Sequence, residues 1–169
     1  SSTSWQTTAL QGAIAPGHRY LVQLGSTAAI GAALPTPDAT DTTNLAASGG
    51  KVALVRDTTA LSCGATAGSC ASAALLEDFI GYGSASDFEG ASAAPALSST
   101  TAAVRADSGC TDTNANGADF DTATPSPRNS ASAATTCSGS QSAGTATAAA
   151  GVAADVQPVL SISLEKPSI

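Results

Sequence analysis

The chain has no methionine, one histidine, one tryptophan and 4% aromatic residues, and charged side chains occupy 11% of its 169 positions. Each shortage removes a reading. Nucleophilic hydrolysis needs a nucleophile, a base and an orienting group. The lone His18 lies between Gly17 and Arg19, and no G-x-S-x-G elbow occurs. His18 reads as a turn residue, and no catalytic activity is expected. No apolar run approaches the ~20 residues of a membrane-spanning helix. A basic n-region followed by an apolar stretch, the mark of a signal peptide, is missing at Ser1. A translation product starts with methionine, so Ser1 is expected to lie downstream of a removed segment. Six basic residues against 13 acidic ones give a net charge of −7. Arg19, Lys51, Arg56, Arg105, Arg128 and Lys166 are scattered singly, whereas a phosphate backbone needs clustered cations. Direct nucleic-acid binding is therefore not expected.

What is present is small, polar and punctuated by turns. Alternating or β-branched runs fall at Thr3–Leu10, His18–Leu24, Lys51–Val55, Leu76–Tyr82, Ser99–Arg105 and Val156–Leu164. Between them lie Ala15-Pro16-Gly17, a long Pro-containing loop over 25–47, a Gly49-Gly50 turn and an irregular polar loop over 110–128. Short strands separated by turn signals, with no amphipathic helix, point to an all-β antiparallel sandwich. Its core is expected to contain Trp5, Tyr20, Val22, Leu24, Val52, Leu54, Phe79 and Val104. The Ala-rich stretch 143–154 has some helical propensity, which Gly144 and Gly151 oppose. The wider stretch 138–155 reads as a Ser/Ala/Thr/Gly linker. For the Ser/Thr-rich stretch Thr135–Thr147, O-glycosylation is the alternative to a bare linker.

Four cysteines, Cys63, Cys70, Cys110 and Cys137, are an even set at spacings unsuited to a zinc knuckle. Disulfides, and hence an oxidising compartment, are expected. Four cysteines allow three connectivities; the sequential pairs are favoured because each closes a Gly/Ser/Thr-rich loop. One segment has the pattern of a cation site. Asp112, Asn114 and Asn116 reproduce the D-x-N-x-N-G start of a calcium loop, with oxygen donors at alternate positions and Gly117 free to turn, and Asp119 or Asp121 could stand in for the loop's closing carboxylate. Ala123 stands where the bidentate Glu belongs, and Asx-turns capping their own backbone are the rival account. The pairs Glu77/Asp78 and Asp87/Glu89 read as solvated carboxylates. Gly49-Gly50-Lys51 reads as a hairpin turn and not a phosphate loop.

Taken in order, HRYLVQL (18–24), LPTPDAT (34–40), GGKVALV (49–55), LEDFIGYGSA (76–85), EGASAAPALSSTTAAVR (89–105), GCTDTNANGADF (109–120) and PSPRNSAS (125–132) resemble the lamin-tail domain of bacterial secreted proteins. The likeness runs from about Ser4 to Cys137. It implies an immunoglobulin-like β-sandwich, export to the cell surface or medium, and a place beside a secreted nuclease or within a larger surface protein. One departure stands out: the family's leading strand or strands, with an acidic-aromatic signature, have no counterpart here. A sandwich without them would expose an edge that something must fill.

The expected organisation is a lamin-tail-like sandwich over 1–137, a linker over 138–155 and a terminal strand over 156–169. Val159, Leu160, Ile162 and Leu164 are the apolar positions of that strand. A lone strand on a linker gains no stability in water, so it is expected to pair with a sheet edge, of its own domain or of a neighbour. The expected function is a non-catalytic extracellular module, a subunit of a surface assembly or filament joined by strand exchange. Its partners are then further copies or neighbouring domains. The rival is an accessory binding or targeting domain of a secreted nuclease or other hydrolase.

Overall fold

A computed structural model describes residues 4–26, 33–137, 149–153 and 161–165. Among these residues, nine strands form three small sheets: β1 (Gln6–Ala9), β2 (Arg19–Gln23), β3 (Ala39–Thr40), β4 (Gly49–Val55), β5 (Leu76–Gly83), β6 (Ala102–Arg105), β7 (Phe120–Ala123), β8 (Ala149–Ala153) and β9 (Ser161–Glu165). Among the described residues, helix is confined to two single turns, α1 (Ala106–Gly109) and α2 (Asn116–Asp119). The sheet orders are β1-β8-β4-β5, β3-β2-β9 and β6-β7. The protein is β-rich, as its turn-punctuated sequence requires.

β4 is the organising strand, because side chains alternate across it and both of its faces are covered. Val52 and Leu54 join Tyr20, Val22 and Leu24 of the β2 segment, with Leu10, Ile14 and Leu45, in one cluster. Ala53 and Val55 point the other way, to Trp5, Phe79 and Cys70. Tyr82, Ala94 and Phe120 form a third cluster toward the β6-β7 hairpin. The single core expected from the sequence is thus several clusters, with Trp5 and Phe79 in a different one from Tyr20. Their rings are 6.0 Å apart.

Val104 is not a core residue: it is 36% exposed, while Arg105 beside it is buried. Apolarity alone suggested that Val104 faces inward, but the alternation of β6 turns Arg105 to that side. Gly49 and Gly50 belong to β4 and not to a turn, paired with Gly83 and Tyr82. A Cβ at Gly50 would lie 2.7 Å from the Tyr82 hydroxyl, so the missing side chain makes room for that ring. The long loop over 25–47 contains β3, which pairs in parallel with β2. The loop over 110–128 contains α2 and β7.

The tail differs most from expectation. Residues 149–153 lie inside the stretch assigned to a linker, yet they form β8, antiparallel to both β1 and β4, with Val152 opposite Gln6 and Val52. Ladder bonds to two neighbours decide the conformation of Ala-Ala-Gly-Val-Ala; its local preference for helix or coil does not. β9 pairs antiparallel with β2, placing Ile162 opposite Val22 and Leu164 opposite Tyr20. Both strands pair within the one chain. Val159 and Leu160 lie outside the described residues.

Candidate functional site

The polar side chains that could do chemistry gather on the outer side of β5 and under the loop that precedes it. Both cysteine pairs are disulfides: Cys63–Cys70, with Cα atoms 5.1 Å apart, and Cys110–Cys137, at 5.5 Å. The first closes a loop over the Trp5–Phe79 cluster, and Trp5 Nε1 donates to Cys63 O at 2.9 Å.

Asp87 holds that loop from below. One carboxylate oxygen accepts from Gly68 N (2.7 Å) and Phe88 N (2.9 Å), the other from Ser69 Oγ (2.8 Å) and Cys70 N (2.9 Å). It is buried, not solvated as its place beside Gly90 suggested. Four donors replace the water it lost, which is the condition for keeping a carboxylate inside a protein. Lys51 is buried as well: Nζ donates to Gly64 O at 2.5 Å and Ser86 Oγ at 3.2 Å and stands 5.5 Å from the Trp5 ring centroid. Burial pulls the Lys51 pKa down, against the pull of the Asp87 carboxylate.

A cleft of about 350 Å³ opens between the end of β4 and this loop, lined by Val55, Asp57, Leu61, Cys63 and Ser69 among others. Two of its polar side chains are already engaged. Asp57 accepts from Thr58 N at 2.7 Å, and Ser69 Oγ accepts from Gly64 N at 2.8 Å while donating to Asp87.

Arg105 is the centre of the second group. Its guanidinium meets Asp78 at 2.6 Å, Asp112 at 3.1 Å and Asp119 at 4.0 Å, and lies 4.6 Å from the Phe120 ring centroid. Burial raises the Asp78 pKa in spite of Arg105. Glu89 is pushed up to about 7, first by burial and then by the nearby Asp78 and Asp112 carboxylates. Asp78 and Glu89 are therefore half-buried members of this group, held by Arg105 and Asn116 respectively; the solvated reading overlooked that a strand edge can be covered by a later loop. Glu77 pairs with Arg56 instead.

The four residues singled out for calcium are placed as follows. Asp119 is buried and accepts from Thr113 N (2.9 Å), Thr113 Oγ (2.7 Å) and Ala115 N (3.0 Å). Burial would raise its pKa, but these bonds and Arg105 outweigh that and hold it low. Asn116 is wholly buried and turned toward β5, where its amide bonds Phe79 O, Gly81 N and Glu89. Asp112 accepts from Asn114 N at 3.2 Å and faces Arg105. Asn114 has a left-handed backbone, φ 55°. The loop thus uses Asx-type bonds to its own backbone, and the positive charge beside Asp112 and Asp119 is a guanidinium. Among the described residues, no three His, Cys, Asp or Glu side chains are arranged to hold a metal ion.

His18 lies in the turn before β2, its N–H donating to Ala15 O at 3.0 Å. Spacing gave no sign of Asp87, Lys51, Glu89 or Arg105. The available signal was scarcity: in a chain with 11% charged residues, a charged residue set among apolar neighbours on a strand is a candidate for the interior. Among the described residues, no helix is long and apolar enough to cross a membrane. The chain matches no family model, no curated protein and no solved structure.

Proposed function

We propose that this protein is a non-catalytic, extracellular structural module with an immunoglobulin-like β-sandwich of the lamin-tail type, and that copies join by exchanging their C-terminal strands. The observation that carries the reading is the position of β8 in the middle of a sheet, between β1 and β4. Without it, two strands lose their shared neighbour and a slot one strand wide opens. A slot of that kind accepts a strand from any chain able to deliver one, its own or a neighbour's. β9 reinforces the exchange, because one tail would supply a strand to each of the two larger sheets. The two disulfides fit an oxidising compartment. The carboxylates around Arg105 and under the Cys63–Cys70 loop serve as braces, which supports a structural role over a catalytic one.

A second reading has support of its own. Pairing of β8 and β9 within a single chain suits a self-contained accessory domain of a secreted nuclease or other hydrolase. The native mass separates the two. An exchanged assembly elutes at a multiple of 16.2 kDa and falls to monomer when residues 149–169 are deleted. A full chain that stays monomeric at high concentration, with β8 amides protected from exchange, ends the assembly reading and leaves the accessory domain.

A further inference from the structure

Four residues line up across the first sheet: Thr7 of β1, Gly151 of β8, Ala53 of β4 and Phe79 of β5 stand opposite one another in register. Three strand spacings separate β1 from β5, about 14 Å. Yet the ring of Trp5, the residue before β1, comes within 6.0 Å of the Phe79 ring, centroid to centroid, and packs with Ala53 and Val55 of β4. The indole therefore lies across β8 to reach them. Its height above the sheet is fixed from the far side: Nε1 donates to Cys63 O at 2.9 Å, and a Cβ at Gly64 would lie 3.3 Å from Trp5 Cζ2. Ala53 has no exposed surface beneath these rings, although its side chain is a single methyl. Gly151, the next residue in the row, has no side chain at all. A glycine inside a strand weakens it unless another group needs the space, and here an indole crosses the strand. The other face of the same strand follows a different rule. Position 152 falls opposite Val52, which packs with the aliphatic side chains of the β2 segment, and the sequence places a branched residue there.

We propose that Trp5 is the specificity-determining residue of the central slot: its indole admits a strand only with glycine opposite Ala53 and small residues two places to either side, and leaves the opposite face open to branched side chains. Side chains on a strand alternate between faces, so 149, 151 and 153 share the Trp5 side, where the sequence has Ala, Gly and Ala. A β-branched residue in place of Gly151 would drive its side chain into the indole, and the bond to Cys63 keeps the ring from lifting away. The rule applies to whichever chain supplies the strand. On the strand-exchange reading above, on which this last step rests, the supplier is the 149–153 segment of a second copy. A strand of ordinary alternating Val, Ile or Thr is refused.

The test uses the full chain, with amide hydrogen exchange read over 150–153. Gly151→Val is expected to speed that exchange about tenfold or more, and Trp5→Ala in the same chain to restore it, because the space under the indole is then free. Were Trp5 only a core residue, the double variant would exchange faster than either single one, and that result overturns the proposal. Should either change prevent folding, Gly151→Ala with Trp5→Phe carries the same comparison at smaller amplitude. A labelled peptide of residues 149–165 separates the selectivity of the slot from exchange between copies. The parent chain should take up that peptide and refuse the same peptide with Gly151→Val, which the Trp5→Ala chain should accept. Equal uptake of the two peptides by the parent chain overturns the assignment of Trp5. Uptake of neither, with the rescue in the full chain intact, supports Trp5 as selector of the chain's own strand and overturns exchange between copies.

Discussion

On one face of β4, Val52 and Leu54 meet Tyr20, Val22 and Leu24 in a cluster of apolar side chains. On the outer side of β5, and under the Cys63–Cys70 loop, the chain is held by Asp87, Arg105, Asn116 and Asp119, each buried and each making several hydrogen bonds or ion pairs. The first region tolerates change in proportion to the volume lost, because dispersion and burial are spread over many atoms. The second is less forgiving, because removing one member leaves its partners desolvated and unpaired. A chain poor in charge has placed Arg19, Lys51 and Arg105, half of its six basic residues, inside. Together with Asp87 and Asp119, they act as internal fasteners.

The largest expected effect tests that contrast directly. Arg105→Met keeps most of the side-chain volume but strands Asp78 and Asp112, and should cost about 3–5 kcal/mol in denaturant unfolding. The same change at the exposed Arg56, paired with Glu77 at the surface, should cost less than about 1 kcal/mol. Equal losses at the two sites would remove the distinction. Asp87→Ala leaves Gly68, Ser69 and Cys70 without their acceptor and should cost about 1–3 kcal/mol. Proteolysis is expected to begin within 57–74 in that variant; an unchanged cleavage pattern would show that the disulfide holds the loop without Asp87.

The dependence on pH sharpens the picture further. Glu89 has a folded pKa of about 7, above its ordinary 4.5, so the folded protein binds that proton more tightly than the unfolded chain does. Its contribution is complete below about pH 4.5 and is lost as the pH rises through 7. Asp38, Asp41 and Asp119 are held below 3.8; their contribution is present above that value and is lost in stronger acid. The melting temperature should therefore peak at about pH 4–5 and decline toward pH 8, and Glu89→Gln should flatten the decline. A melting curve that rises from pH 5 to 8 would contradict the assignment. The smallest effect belongs to Val104→Ser on the exposed side of β6, expected within about 0.5 kcal/mol of the parent.

Much of the apolar region was legible in the sequence. Tyr20, Val22 and Leu24 alternate, Lys51–Val55 is a β-branched and aliphatic run, and both structures follow from those patterns. The disulfide pairs were legible from loop composition. The polar region was not, because Asp87 and Asn116 bond to segments 17 to 37 residues away in sequence, and spacing carries no trace of such partners. Asn116 fits a calcium loop by position, yet its amide is committed to β5. β8 was hidden for a related reason: Ala, Gly and Val with flanking Ser and Thr look like a linker until two strands flank them. Val104 was misplaced because hydrophobicity was read without the register that puts Arg105 inside.

The position of β8 also bears on how the fold is reached in time. β4 ends at Val55 and β8 begins at Ala149, so a growing chain must add 94 further residues before its central strand exists. At ordinary synthesis rates that wait is on the order of ten seconds. Throughout it β1 and β4 have no common neighbour, and the loop to be closed is among the longest the chain allows, a feature that slows folding. The nascent protein therefore passes through an interval in which the Cys63–Cys70 loop and the β4–β5 pair are available but its principal sheet is open. A chaperone or an early copy of the same tail would meet it in that interval.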